Sequence, residues 1–460
     1  MDEETRKLQE KRNKLFSDFY NNIVPERMPV AFSLHNSIAA EYSGLNMDEV
    51  NFDYSLMSDA AQKIMKMVYS DTSMFRGAGF MARLPGCYQA IDSKTFILGT
   101  APVMQHPEVE GMKREDYDYL IEDPYACLLE RVLPAQHTAL APDNGIMRSI
   151  ALAKMNLEDQ REGRLARNGY AAKIMDEGGY YVGAPWMGLG FSACPFDFIG
   201  DQLRGFSNIV VDVRRDREKI KAACEAVLPI VFTYGLPPMP HPEGSVGMPL
   251  HMAPYMRLKD FEELWFPTFL IQARQYAARG ARLSPFAEED WMRYIDYLAE
   301  FPAGTVVKYE KGDPKLIKEK LGDKLLATGL YPLILLRTGT KEQVIDKAKE
   351  ILDVMLPGCG YIMDFDKSPL SIGDINWENL CALTEFVRDY AKYDNPGEHF
   401  GTPLNSEHFE IDKSIEKVES KYFTNWKEYK EKYPHTPEFY KDVLHEFDME
   451  IMKSYIALLL

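Results

Sequence analysis

Positive charge is scarce in this 460-residue sequence: 53 Lys and Arg stand against 70 Asp and Glu, a formal net charge of −17. Nucleic acid and anionic membrane surfaces both require a basic footprint, so neither is expected as a partner. Cysteine is sparse and scattered. The six, at 87, 127, 194, 224, 359 and 381, include no CxxC pair, which excludes a disulfide framework and suits a reducing, cytoplasmic compartment. Long apolar runs are missing as well. No stretch approaches the roughly 18–20 residues of a membrane span, and MDEETRKLQEKRNKLFSDFY lacks the apolar core of a secretion signal. Internal repeats and low-complexity segments are absent. No GxGxxG follows the first apolar run and no GxxxxGK[ST] occurs, so dinucleotide and P-loop folds lose their main support.

What remains is an ordinary globular composition, 46% hydrophobic and 27% charged. Residues 2–24 read as a charged amphipathic helix. PVAFSL (29–34), FILG (96–99), YYVGAPW (180–186), VGMPLHM (246–252), TVVKY (305–309) and YPLILL (331–336) are strand candidates. Helix-period segments lie between them. The clearest is TKEQVIDKAKEILDVML, where Val344, Ile345, Ala348, Ile351, Leu352 and Met355 share one face. It opens with Thr340 and Gln343 at capping-box spacing and stops at Pro357-Gly358. A second helix, WENLCALTEFVRDYAKY, follows a polar loop. Strand and helix alternating over some 350 residues predicts an α/β fold with parallel strands, and the missing nucleotide motifs favour a (β/α)8 barrel. After Asn395 aromatics crowd among dense charges and the chain ends on IMKSYIALLL. This reads as a helical extension packed on the barrel or, in a homodimer, on a second copy.

Barrel chemistry sits at the C-terminal ends of the strands. That rule selects His35 and Asn36, Trp186 and Phe191, His251, Glu288 with Glu289 and Asp290, Glu310 and Asp313, Arg337, and Asp364 with Asp366. Each has a plainer reading. His251, between Leu250 and Met252, could be a core histidine bonded to a carbonyl. Glu289 and Asp290 could stabilise a helix N-terminus, and Arg337 could order the start of the next helix.

Taken together, GAPWMGLGF (183–191), LGDKLLATGLYPLILLRTGTKEQVIDKAKEIL (321–352), LPGCGYIMDFDKSPL and NWENLCALTEFVRDY resemble the uroporphyrinogen decarboxylase superfamily over roughly residues 28–393. The resemblance implies a distorted (β/α)8 barrel over 28–393, an N-terminal helical segment over 1–27 and a C-terminal helical extension over 394–460. The true decarboxylases carry two arginines after the first strand, where this chain has Leu34-His35-Asn36-Ser37-Ile38. Their tyrosine after the Gly-Pro-Trp motif corresponds to Phe191. A pocket without those arginines would leave the many carboxylates of that substrate uncompensated.

The cobalamin-dependent methyltransferases of the superfamily are the better match. They move methyl groups between small molecules and a separate corrinoid protein. The chain has no Asp-x-His-x-x-Gly motif, so the cobalamin would be carried by such a partner. Thiol-using members bind zinc through a His-x-Cys pair and a Pro-Gly-Cys-Gly turn. Pro357-Gly358-Cys359-Gly360 matches the turn, and Phe286-Ala287-Glu288 falls on the pair. The resemblance thus implies a zinc set of His251, Glu288 and Cys359. It implies demethylation of a small methoxylated or methylated compound, with His251, Glu288 or Asp364 as catalytic groups. Tyr88, Trp186 and Phe191 would wall an aromatic pocket. The alternatives are a lyase for a smaller carboxylic acid, held by Arg83 or Arg337, and a non-catalytic tetrapyrrole- or corrinoid-binding barrel.

Overall fold

Apolar runs separated by helix-period segments should produce strands with crossover helices, and the computed structural model of the chain has that arrangement. It describes residues 1–75, 85–98, 104–145, 148, 150–152, 154, 158, 173–174 and 176–460. Strands β1 (Ile97–Leu98) and β2 (Met104–Gln105) form a short antiparallel pair. The main sheet holds β3 (Gly190–Phe191), β4 (Val246–Leu250), β5 (Leu283–Asp290), β6 (Val306–Lys311), β7 (Leu326–Tyr331) and β8 (Tyr361–Phe365), all parallel and adjacent in chain order. The class is therefore α/β with a six-stranded parallel sheet among the described residues. Crossovers include the helices Arg217–Gly235, Phe266–Ala278, Pro314–Leu321 and Lys341–Met355.

Strand alternation sorts the residues by face. On β4, Val246, Met248 and Leu250 are buried, while Gly247, Pro249 and the following His251 are half-buried. On β5, Leu283, Pro285 and Ala287 are buried, and Ser284, Phe286 and Glu288 are half-buried. The fully buried set forms part of the large apolar core; the other face presents the chemistry.

Residues 30–34 and 70–75 run alongside this sheet. The Asp71 N–H donates to the Val30 carbonyl (3.0 Å), Leu34 N–H to Met74 (2.8 Å) and Tyr181 N–H to Asp71 (2.8 Å). The Ser33 N–H reaches Asp364 Oδ1 on β8 at 3.1 Å.

Three strand readings are corrected here: PVAFSL (29–34) forms no strand, YYVGAPW (180–186) has only an isolated bridge at Tyr181, and YPLILL turns helical. Strand β7 ends at Tyr331, and Leu333–Thr338 is a helix whose first N–H is accepted by Asp366 Oδ1 (3.0 Å). A short apolar run suits either conformation, and Leu-Leu repeats carry no β-branched bias. The strand itself, LATGLY, was obscured by its Thr and Gly. Helix Lys341–Met355 has the expected Thr340–Gln343 capping box.

The first helix, α1 (Glu3–Tyr20), packs where the strands begin. Phe16 stacks on Tyr181 at 4.0 Å, and Arg12 donates to the Gly178 and Gly179 carbonyls. The C-terminal segment packs on its own chain. Glu416 pairs with Arg279, Gln275 bonds the Glu410 carbonyl (3.0 Å), and Leu458 and Leu459 are fully buried. No helix among the described residues is long and apolar enough to cross a membrane.

Candidate functional site

His251 leaves β4 at its C-terminal end and stands between two acids. Its Nδ1 lies 2.7 Å from Asp201 Oδ2, and its Nε2 lies 3.2 Å from Glu288 Oε1 on β5. The histidine backbone is held too: its N–H donates to Asp197 Oδ2 at 2.9 Å, while Asp197 Oδ1 accepts the Trp265 indole N–H at 2.7 Å. Burial alone would lower the pKa of His251. Hydrogen bonds to Asp201 and Glu288, with the charges of both, outweigh it and push the value up to about 11. The ring is thus an imidazolium at neutral pH, donating from both nitrogens. The neighbouring Asp197 is shifted upward by burial and then by the charge of Asp201.

The two aspartates were not among the sequence candidates. They lie in PFDFIGDQLR, directly after β3, where Pro195–Asp197 is helical and Phe198–Arg204 is a π-helix. A pair of acids four residues apart on a helical segment that follows a strand end was the available signal. π-turns recur at functional sites.

A second charged pair occupies the same sheet face. Lys308 on β6 approaches Asp364 Oδ2 at 3.0 Å, and Asp364 Oδ1 accepts the Ser33 and Phe365 N–H groups. The Lys308 ammonium lies 5.7 Å from the Phe286 ring centre, and Phe286 is its register partner on β5. Phe191, paired with Gly247, is half-exposed. Sequence reasoning had selected Asp364, Glu288, His251 and Phe191 but not Lys308, because a lone lysine inside a strand gives no local signal.

The other candidates make different contacts. His35 caps helix α2 (Asn36–Tyr42), with Nδ1 2.7 Å from Ser37 Oγ; burial lowers its pKa to about 4, so it is neutral. Asn36 is buried, and its Oδ1 has no hydrogen-bond partner among the described residues. Tyr88 is buried against Phe96 and His137, with ring centres 4.8 and 6.3 Å away. Arg337 is exposed in the last turn of Leu333–Thr338, a helix length beyond the strand end it was expected to follow. Trp186 opens the 3-10 turn Trp186–Gly188, its indole outside the described side chains, and Arg83 lies outside the described residues. Asp290 accepts the Met292 N–H (2.8 Å), in keeping with its turn-capping alternative. Asp313 caps the helix Pro314–Leu321.

Cys359 is not brought to His251 and Glu288. It precedes β8, whereas they sit at or beyond the strand ends, level with Asp364 in the parallel register. Five residues separate 359 from 364, roughly 15 Å of strand. It belongs to an apolar cluster with Phe16, Phe19, Leu326 and Phe400, and burial raises its pKa. The ring nitrogens of His251 already face carboxylates. Among the described residues no three or more His, Cys, Asp and Glu side chains are arranged to hold a metal. The expected zinc set therefore does not fit this geometry. The Pro-Gly-Cys-Gly turn resembles a ligand turn in sequence but lies at the opposite end of its strand.

No protein-family model matches the chain, and no curated protein matches it significantly.

Proposed function

We propose that the chain is a corrinoid-dependent methyltransferase acting on a small methoxylated, aromatic compound, and that its sheet closes with residues 29–34 and 70–75 into a (β/α)8 barrel. Closure is supported by the backbone bonds that link residues 30–34, through 71–74, to Tyr181, and by the Ser33 N–H donating to the Asp364 side chain on β8. The observation that carries the activity is His251 bridging Asp201 and Glu288 at the C-terminal end of the strands.

A separate corrinoid protein would supply, on its reduced cobalt, the nucleophile for the methyl group. The chain must make the ether oxygen a better leaving group, and a proton does this. The His251 imidazolium holds that proton on Nε2, 3.2 Å from Glu288. Substrate oxygen would take the place of the Glu288 carboxylate, while Asp201 keeps Nδ1–H oriented. The proton passes from Nε2 to the departing oxygen as the carbon–oxygen bond breaks, and the Asp201 carboxylate at Nδ1 stabilises the imidazolium until then. Phe286 and Phe191 on the same sheet face offer apolar surface for an aromatic ring. Tyr255, exposed just beyond the C-terminal end of β4, offers apolar surface to a docking partner.

The test is to mix the purified protein with a reduced corrinoid protein and a panel of methoxylated aromatics, following the absorbance change of the corrinoid on methylation. Transfer that requires both the chain and His251 is expected. Carbon dioxide release without corrinoid, or a visible chromophore bound without turnover, would overturn the reading in favour of a lyase or a binding barrel.

A further inference from the structure

Strand β5 contains an irregularity beside His251. Ala287 pairs with Tyr309 and Asp290 with Lys311, so β5 uses three steps where β6 uses two. The extra residue makes a bulge at Glu288-Glu289, and Glu289 takes φ +58°, the left-handed region that side chains other than glycine avoid. Something must hold it there. The Glu289 N–H donates to Glu310 Oε2 at 3.0 Å, and Glu310 is almost fully buried on β6. Lys367 pairs with the other Glu310 oxygen at 2.8 Å, and Lys311 reaches the Glu289 carboxylate at 2.5 Å. The residue directly before the strained position is Glu288, whose Oε1 faces His251.

We propose that Glu310 is a positioning residue: its carboxylate clamps the β5 bulge and so sets Glu288 against the His251 ring. Glu310 does not touch His251 in this arrangement; it acts through the backbone of residues 288–289. Bulges next to functional sites commonly re-aim a side chain, and this one places a carboxylate at the second nitrogen of an imidazole already held by Asp201. The catalytic consequence rests on the methyl-transfer reading above; the geometric consequence does not.

Two substitutions separate position from charge. Glu310→Gln keeps an oxygen at the same reach for the Glu289 N–H but removes the negative charge. Glu310→Asp keeps the charge but is one methylene too short. The primary readout is the pair of low-field imidazole N–H proton resonances of His251 in histidine-labelled, substrate-free protein, with circular dichroism confirming the fold. If Glu310 is a clamp, Glu310→Asp loses or shifts the Nε2–H resonance facing Glu288 and keeps the Nδ1–H resonance facing Asp201, while Glu310→Gln retains both. Methyl transfer should fall about tenfold to a hundredfold in Glu310→Asp, as expected for a displaced catalytic group. Adding Glu289→Gly to Glu310→Asp should restore the resonance and much of the rate, because glycine adopts the positive φ without being held. The reverse pattern, Glu310→Gln damaging and Glu310→Asp neutral, would overturn the proposal in favour of a charge effect, as would unchanged resonances in both variants. Resonances that follow the clamp pattern in a protein without methyl transfer would leave this inference standing and remove the proposed activity.

Discussion

Replacing His251 removes the group that Asp201 and Glu288 both hold. His251→Ala should lower methyl transfer by about 100-fold or more, the range typical of a lost general acid. The fold should survive, because the Asp197 bond to residue 251 is made by the backbone N–H. Turnover and melting temperature measured on the same variant check both halves; an active but unstable protein would return His251 to the role of a core histidine. The same residue predicts a pH dependence. Its folded pKa, pushed to about 11, lies above the ordinary value of about 6.5, so the folded chain binds more protons than the unfolded chain in between. The stabilisation is fully present below about pH 6.5 and is lost as the pH rises toward 11. Melting temperature should decline across that window, and His251→Gln should flatten the decline.

At the scale of elements, the turn before β8 is the instructive case. Cys359 has φ +60° between two glycines that also have positive φ, and its side chain fills the apolar cluster beneath α1. Cys359→Ala should leave methyl transfer and metal content unchanged and cost about 1 kcal/mol of stability through the small void. A substantial loss of activity at unchanged stability would restore it to the site. The helix Lys341–Met355 was legible because its period, cap and stop agreed. The strand Leu326–Tyr331 was not, because Thr and Gly interrupt its apolar pattern and the adjacent leucines mimic a strand. The spelling of a turn does not fix its place: a Pro-Gly-Cys-Gly string has the same letters before a strand as after one.

At the scale of the whole molecule, the C-terminal segment is part of the core. Leu458 and Leu459 are fully buried, and the Leu458 carbonyl lies 3.1 Å from His137 Nε2. Leu458→Ala should destabilise the chain by about 2–5 kcal/mol, as for other buried leucines, measurable by denaturant titration. A substitution without effect would make the tail a dispensable attachment.

The sequence by itself determined the α/β class, the strands at 96–99, 246–252 and 305–309, the helices Glu3–Tyr20, Lys341–Met355 and Trp377–Tyr390, and that His251, Glu288 and Asp364 stand toward strand ends. These follow from local periodicity and from the direction of parallel strands. It left open whether the tail packs on its own chain, and only the tertiary structure answered that, by burying its leucines. The partners of His251 were also a tertiary matter. Asp201 is 50 residues away and Glu288 is 37 away in the chain, and no local pattern encodes which acids a crossover brings to one ring. The same holds for the separation of Cys359 from that ring: alternation and register set the height of each residue along its strand, and height decides which side chains can meet.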